Sequence, residues 1–176
     1  MKAVLISVQP PHTTNMFNKI KRIEWRTKPM PTGKHYVYET KNGGGIGMVI
    51  GECLIWRIRR YENVSFIPEG HIDAGCVPYE FLAEYSKGKP LYAHFIINAN
   101  RYDKPKPLSD FYIVDNEEVK KCEHRERVYC NPDLTNGAWL PGGYVCSKDE
   151  IDWCSKCKTK PVVRPPQSWC HVEDLE

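Results

Sequence analysis

The sequence predicts an α+β fold: one small mixed β-barrel with flanking helices, followed by a cysteine-rich annex. Three observations support this prediction. The chain has 176 residues, enough for one core, and its 41% hydrophobic and 27% charged residues are ordinary for a globular protein. Its first 116 residues predict the element order β-α-β-β-β-α-β. Few helices among many strands are typical of a small barrel and not of parallel βαβ units.

Local patterns predict the first three elements. Residues 3–8 (AVLISV) have the length and β-branched content of a buried strand, which the prolines that follow end. Residues 13–20 carry apolar side chains at helical spacings and predict a short amphipathic helix. Residues 22–28 alternate apolar and charged side chains, as in a half-buried strand with one charged face. The apolar positions of the last two elements are Met16, Phe17, Ile20, Ile23 and Trp25.

A strand-rich stretch follows. Residues 34–39 predict a strand, and the glycine-rich residues 40–45 predict its turn into the next one. Residues 46–65 are rich in Val and Ile and contain no proline, which predicts one bent strand or two strands.

The clearest helix of the sequence spans residues 77–86. Pro78 lies in its first turn and Gly88 is its expected stop. Its apolar stripe consists of Phe81, Leu82 and Tyr85.

Strand character returns after this helix. Residues 91–98 predict a strand. Residues 102–108 predict an extended or turn segment, because two prolines there cannot donate ladder hydrogen bonds. Residues 109–114 predict a turn of helix followed by a short strand.

The chain changes character at residue 117. Charges, cysteines, glycines and prolines replace the apolar runs, which predicts an annex without a core of its own. Apolar alternation around Trp169 then predicts a last strand that rejoins the barrel. The predicted organisation is a barrel over residues 1–116, an annex over residues 117–163 and a returning strand within residues 164–176.

The net charge of +3 is unevenly distributed. Residues 1–60 contain eleven Lys or Arg and three Glu, a net +8, which leaves −5 for the remainder. A basic segment joined to an acidic one points to a polyanionic partner on the basic segment. No apolar run approaches the ~20 residues that cross a bilayer, and the short run after Met1 does not make a secretory signal. We therefore expect a cytoplasmic protein without a membrane partner.

The densest cluster of cations lies in residues 19–28 (KIKRIEWRTK). Cations on one strand and its preceding turn can meet phosphates, while Glu24 among them stays ionised and accepts hydrogen bonds from a base or sugar. The alternative is a solvated strand face on which Glu24 pairs with a neighbouring cation. Lys21 has the strand parity of Ile23, so a site shared with Glu24 requires Lys21 to lie in the turn before the strand. The candidate ligand-binding residues are Gln9, Lys21, Glu24, Arg26, Lys28 and Lys41.

Residues 41–47 (KNGGGIG) form a second candidate element. Successive glycines can aim backbone N–H groups at a phosphate. A nucleotide-binding P-loop is excluded, because no Lys-Ser/Thr pair and no helix follows. The composition favours a flexible hairpin tip, which could flank a cleft with Lys34 and Lys41 and close over a ligand.

Six of the eight cysteines lie in the last 55 residues. Without a secretory signal, such a cluster indicates a metal before disulfides. The CxxC sequence at 154–157 is a knuckle that presents two thiolates to tetrahedral zinc, and a closed ligand set would make the zinc structural. A redox CxxC, unliganded thiols, and His124 or His171 as ligands are the alternatives. We expect zinc to be bound by four of these five: Cys122, Cys130, Cys146, Cys154 and Cys157.

Other residues with reactive or stacking side chains have a packing interpretation. Cys53 and Cys76 lie in predicted apolar elements, as buried thiols do. His94 is interpreted as a hydrogen-bonded core histidine, although a polar face would let it line a cleft. Trp25 and Trp169 occupy strand positions where a core role competes with stacking on a base.

The opening of the chain resembles ASCH-domain proteins, a branch of the PUA-like superfamily. LISVQP (residues 5–10), a short helix and KRIEWRTKP (residues 21–29) are similar to the family pattern, a strand ending in S-I-x-P followed by G-x-K-x-x-E-x-R-K. The resemblance covers nearly the whole chain, and its later segments look like those of phage or prophage members. These segments are VIGE (49–52), AGCVPYEFLAEY (74–85), YDKPKPLSDFY (102–112) and RPPQSWCHVE (164–173).

The resemblance implies a PUA-like barrel with a cleft for RNA, a nucleobase or a nucleoside. Some relatives hydrolyse the amide of an acylated cytidine with a lysine, a hydroxyl nucleophile and a carboxylate, and ribonuclease activity is attributed to others. The lysine falls on Lys21, but the threonine nucleophile falls on Glu24; Glu80 and Glu84 are candidates for the carboxylate by location. Acyl transfer to a carboxylate gives a high-energy anhydride, so Glu24 would act as a base toward water, with Lys21 or Arg26 stabilising an oxyanion.

We therefore expect an RNA- or nucleoside-binding PUA-like module that uses a basic cleft. The first alternative is a hydrolase, either similar to N-acylcytidine amidohydrolases or a ribonuclease, with Lys21 and Glu24 as its catalytic residues. The second is a phage protein-interaction module whose acidic annex binds a host protein in the host cytoplasm.

Overall fold

The structure is a computed structural model, and it describes residues 2–113, 139–140, 143–144 and 164–175. The chain divides into two compact units, Met1–Ile113 with Pro161–Glu176, and Val114–Lys160. None of the helices among the described residues has the length and apolar character that crossing a membrane requires.

The described elements are strands, three short helices and two 3-10 turns, at Val64–Phe66 and Leu108–Asp110. In the second unit β6 and β7 pair antiparallel. The elements in chain order are β1 (Lys2–Val8), α1 (His12–Phe17), β2 (Ile23–Arg26), β3 (Gly33–Glu39), β4 (Met48–Tyr61), α2 (Glu69–Gly75), α3 (Tyr79–Ser86), β5 (Leu91–Lys106), β6 (Trp139–Leu140), β7 (Gly143–Tyr144) and β8 (Trp169–Glu173).

The first unit is built on one mixed six-stranded sheet in the order β2-β5-β4-β3-β1-β8. Strands β1 and β3 are parallel, since α1 and β2 intervene between them as a crossover, and the other neighbours are antiparallel. The last strand, β8, pairs along β1 from Lys2↔Glu173 to Ile6↔Trp169, so the end of the chain returns to the sheet.

The predicted barrel closure is wrong, because the sheet stays open. Within the described residues, β2 and β8 are its two edges. Strand β2 is four residues long and reaches β1 through a side chain instead of a ladder: Arg26 Nη2 donates to the Ser7 carbonyl oxygen at 2.7 Å. The gap between these two strands holds the candidate site described below.

Side chains alternate along the strands and fill cores on both faces of the sheet. Ile6 on β1 packs with Met16 of α1, whereas the adjacent Leu5 packs with Phe111 in a separate core. A third core, which includes Trp25 of β2 and Leu82 of α3, fixes the helices α2 and α3 near the β2 edge.

The elements differ from prediction at three places. Helix α1 ends at Phe17 because Lys19 adopts a left-handed conformation (φ 61°), which leaves Ile20 58% exposed. Strand β5 continues through Pro105 to Lys106, because β2 pairs only with its first part and leaves one side of the ladder free for proline. Helix α2 was not predicted, since its sequence EGHIDAG has no clear apolar stripe.

Candidate functional site

A cleft of about 220 Å³ lies between the end of β1, β2 and α3. Charged side chains around β2 form its floor, and side chains of α3 form one wall. Pockets for drug-sized ligands typically measure about 300–1,000 Å³, so this cleft suits one small planar group. Its lining includes Gln9, His12, Lys21, Glu24, Arg26, Phe81 and Tyr85.

Three charged side chains form a single buried network on the floor. One carboxylate oxygen of Glu24 lies 2.9 Å from Arg26 Nη2, and the other lies 3.3 Å from Lys21 Nζ. The three side chains are 9%, 11% and 2% exposed, respectively. Lys21 Nζ also donates to the Gly75 carbonyl oxygen at 2.6 Å, and Arg26 to that of Ser7. The floor therefore carries one net positive charge, and ion pairs and hydrogen bonds fix the position of each side chain.

Lys21 reaches Glu24 because it precedes β2. The Lys21 N–H donates to the Asn15 carbonyl oxygen at 2.9 Å, and the Arg22 N–H donates to that of Ala74 at 2.7 Å. These bonds hold the turn between α1 and β2 against α2. Lys21 therefore lies in the turn before β2, which is the position that the alternation of side chains along the strand requires if Lys21 and Glu24 share one site.

The charges of the network set the protonation of its neighbours. Burial raises the pKa of the Glu24 carboxyl, but Lys21 and Arg26 outweigh this effect, so the pKa lies below its ordinary value and Glu24 is ionised at neutral pH. Burial, assisted by the charge of Lys21, lowers the pKa of His12, which is therefore neutral. Within the described residues, His12 Nδ1 and Arg26 Nε have no hydrogen-bond partner. The residues that line the cleft thus include the Glu24 carboxylate and, buried beside it, one guanidinium N–H and one imidazole nitrogen without a partner in the described part of the chain.

Two aromatic rings of α3 flank the cleft. Leu82 is fully buried, whereas Phe81 and Tyr85 are 48% and 38% exposed and stack at 6.0 Å between ring centroids with 12° between their planes. The predicted apolar stripe is therefore divided. Leu82 packs in the core, whereas Phe81 and Tyr85, which are four residues apart and share the neighbouring side of this two-turn helix, face the cleft. Both rings also border a second depression of about 450 Å³ that includes Lys87 and Lys89.

Gly75 at the end of α2 supports the floor of the cleft. A Cβ at this position would lie 2.1 Å from Trp25 Nε1, so any residue larger than glycine would clash with the indole ring. The same residue supplies the carbonyl oxygen that Lys21 binds. Gly75 therefore lets the indole and the ammonium group approach one backbone segment.

The structure brings together some of the predicted ligand-binding residues. Lys28 and Lys41 are exposed and do not line the cleft, and the side chain of Lys41 lies along Gly47. The glycine-rich loop contributes Asn42 instead, and the RPPQS segment contributes Gln167. The predicted residues that line the cleft are Gln9, Lys21, Glu24 and Arg26.

The glycine-rich loop is attached to α1 through Glu39. The buried Glu39 carboxylate accepts from Thr13 Oγ1 at 2.7 Å and from the Ile46 N–H at 3.2 Å. These bonds hold the rim of the cleft next to α1. Sequence reasoning missed Glu39 and His12. One signal was available: an amphipathic helix that begins with two polar residues, His12 and Thr13, could have indicated a second polar face.

The remaining candidate residues have structural roles. His94 is a core histidine, as predicted: its Nε2 accepts from the Met30 N–H at 2.9 Å, so its Nδ1 donates to the Glu24 carbonyl oxygen at 3.2 Å. Burial raises the pKa of the Cys53 thiol to about 12, which makes it a poor nucleophile.

Glu80 and Glu84, the candidates for a catalytic carboxylate, do not line the cleft, although Glu84 borders the second depression.

The predicted zinc ligands lie outside the described residues. Among the residues that the structure does describe, no group of three or more His, Cys, Asp or Glu could hold a metal ion. The five positions concerned are Cys122, Cys130, Cys146, Cys154 and Cys157.

Comparisons with known proteins identify the fold. No family model matches the chain, and no curated protein matches it. The chain is similar to the crystal structure of ASCH from Zymomonas mobilis, with a TM-score of 0.53 and 16% identity over 82% of this chain and 86% of the other. Two mutant forms of that protein match with TM-scores of 0.52, one at 15% identity over 83% and 90% of the two chains and one at 16% over 68% and 78%. The open six-stranded sheet with its few helices is thus the α+β fold of ASCH proteins.

Proposed function

We propose that the chain binds RNA or a modified nucleoside by taking one base into the cleft. The observation that carries this proposal is the juxtaposition of an ionised, buried Glu24 with the exposed rings of Phe81 and Tyr85 around one small opening. The resemblance of the KRIEWRTKP segment to ASCH-domain proteins supports the same ligand class.

The polar groups suit a base that presents a donor beside an acceptor. The Glu24 carboxylate can accept from an exocyclic amino group, and the unpartnered Arg26 Nε can donate to a ring nitrogen or carbonyl oxygen. Cytosine and adenine carry this combination of an amino donor and an adjacent acceptor. Aromatic side chains such as Phe81 and Tyr85 are the usual stacking partners of exposed bases.

The rings of α3 provide the test of this proposal. We expect Phe81→Ala and Tyr85→Ala to weaken binding of a short single-stranded RNA by roughly 5- to 100-fold each, in the range of one lost stacking contact. Tyr79→Ala is the matched control, because Tyr79 is 43% exposed on the same helix but does not line the cleft. Fluorescence anisotropy of labelled RNA measures the affinities. Equal affinities of the Tyr79 and Tyr85 variants would contradict the proposal.

The hydrolase alternative draws support from one observation, the neutral His12 with an unpartnered Nδ1 in the same cleft. A neutral imidazole can act as a general base toward water. Glu24 suits this role less well, because its lowered pKa makes it a weak base. Hydrolysis of N-acylcytidine or RNA by the purified protein, abolished in His12→Gln, would support an enzyme. Binding without turnover across these substrates would favour the binding module.

The interaction-module alternative stays a prediction, since most of residues 117–163 lie outside the described part of the chain. If affinity capture with this chain recovers a protein that binds the annex and recovers no RNA, the result would favour this alternative over the proposed function.

A further inference from the structure

The carboxylate of Glu24 offsets one of the two positive charges on the cleft floor, whereas two arginines of strand β4 have no such partner among the described residues. Lys21 and Arg26 share the carboxylate of Glu24. Arg57 and Arg59 are exposed on β4 and, among the described residues, have no carboxylate within ion-pair distance. A polyanion would therefore meet these two arginines more readily than the cleft floor.

Aromatic rings hold both arginines in place. The guanidinium carbon of Arg57 lies 5.8 Å from the centre of the Phe95 ring, and that of Arg59 lies 5.1 Å from the centre of the Tyr61 ring. A guanidinium that lies over a ring keeps its N–H groups available at the edges for hydrogen bonds to phosphate. Ring support also reduces the side-chain freedom that binding would otherwise remove.

An exposed tryptophan completes this surface. Trp56 is 52% exposed and packs edge-on against Phe95, with 6.1 Å between ring centroids. Exposed aromatic rings beside cations are the combination that single-stranded nucleic acids use, because bases stack on the rings while phosphates meet the cations. We call the surface formed by Trp56, Arg57, Arg59 and Phe95 the β4 arginine face.

The strand register places the backbone of this face two strands from the cleft. Arg59 on β4 is opposite Ala93 on β5, and Ala93 is opposite Trp25 on β2, which lines the cleft. Two strand spacings separate the backbones of Arg59 and Trp25, about 10 Å. A ligand that occupies both places must therefore be longer than a nucleoside.

We propose that the β4 arginine face binds the phosphate backbone of a single-stranded polynucleotide, so that the ligand of the protein is a polymer and not a free nucleoside. This inference extends the proposed function, which supplies the ligand class, to a second surface outside the cleft.

The test compares two arginines of the same strand. Arg59→Gln removes a cation of the face, whereas the control Arg60→Gln removes a cation that pairs with Glu62 at 3.0 Å on the exposed surface. Binding of a fluorescent ten-nucleotide RNA is measured from low to high salt, and binding of cytidine is measured separately by calorimetry. We expect Arg59→Gln to reduce the slope of log affinity against log salt concentration by about 0.7, the value for one lost phosphate contact on a single strand. The double variant with both Arg57→Gln and Arg59→Gln should lose about twice that slope. Arg60→Gln should leave the slope unchanged, and all variants should bind cytidine alike.

Three outcomes would overturn the inference. They are a wild-type slope in the double variant, equal losses in Arg59→Gln and Arg60→Gln, and binding of polyglutamate as tight as binding of the RNA. The test also separates this inference from the proposed function. Suppose that neither the wild-type protein nor any variant binds cytidine, but Arg59→Gln still binds RNA more weakly than Arg60→Gln. The β4 arginine face would then stand, and the proposed role of the cleft would fail.

Discussion

Glu24 pairs with both Lys21 and Arg26 and also lines the cleft. The three side chains are nearly inaccessible to solvent, so each charge depends on its partners. Removing one member of such a buried network leaves an uncompensated charge, which costs far more than breaking a surface pair.

We expect Glu24→Gln to lower the free energy of unfolding by about 3–5 kcal/mol, because two buried cations lose their counter-ion. Glu62→Gln is the control and should cost about 1 kcal/mol or less, since its pair with Arg60 is exposed. Urea denaturation measures both. Similar losses in the two variants would contradict a buried network.

His35 makes the stability of the fold depend on pH. Burial lowers the pKa of His35 from an ordinary 6.5 to about 4, and the nearby titratable or charged groups are His94, His171 and Arg26. Above pH 6.5 the imidazole is neutral in both states and its contribution is complete. As the pH falls from 6.5 to 4, the unfolded chain binds a proton that the folded chain does not, so stability decreases.

We expect the free energy of unfolding to fall by about 3 kcal/mol over this interval from His35 alone. His35→Gln cannot titrate and should show a shallower pH dependence. Urea denaturation at a series of pH values measures the slope, and an identical slope in the two proteins would refute this role of His35.

At the residue scale, the sequence singled out Lys21, Glu24 and Arg26 together, but it predicted neither their buried ionic network nor the whole cleft. The charged residues around β2 stand out in a short motif, whereas Phe81, Tyr85 and His12 belong to amphipathic helices. Helical spacing shows which side chains share a stripe, but not whether that stripe meets a core or a cleft. Which of the two it meets depends on the strands and helices packed beside it, and these are distant in sequence.

Helix α2 positions the site through its last residue. Gly75 packs against Trp25 and binds Lys21, whereas a Cβ at Gly70 on the same helix would meet nothing within 4 Å. The two glycines therefore differ in packing within one element.

We expect Gly75→Ala to destabilise the fold by about 2–4 kcal/mol and to weaken RNA binding, because the added Cβ displaces the indole of Trp25. Gly70→Ala should stabilise by about 0.5–1 kcal/mol, as an exposed helical glycine replaced by alanine does. Thermal unfolding distinguishes the two. A Gly75→Ala protein as stable as Gly70→Ala would refute the close packing.

The strands were predicted more reliably than the ends of the elements. Alternating and β-branched residues in β1, β3 and β4 specify strands locally, whereas the end of α1 depends on the left-handed Lys19 and the length of β5 on its free edge beside Pro105. The latter two features depend on tertiary neighbours that no local pattern contains.

For the whole molecule, a sum of charges did not indicate where a polyanion binds. The +8 of residues 1–60 includes cations buried and paired with Glu24 in the cleft and cations exposed on the β4 arginine face. Burial separates the two classes, and burial follows from the fold.

Zinc in the annex stays a prediction. We expect protein purified without added metal to contain one zinc ion per chain by elemental analysis, and chelation to lower its melting temperature. Double substitution of Cys154 and Cys157 with serine should abolish the zinc, whereas Cys53→Ser should not. Less than one tenth of an equivalent of zinc in the wild-type protein would remove the proposal.

The most direct measurement is a crystal structure of the protein with a short single-stranded RNA. We expect one base in the cleft, with its amino group within hydrogen-bond distance of the Glu24 carboxylate and its ring against Phe81 or Tyr85. An ordered RNA bound elsewhere on the protein, with no base in the cleft, would contradict the proposed function.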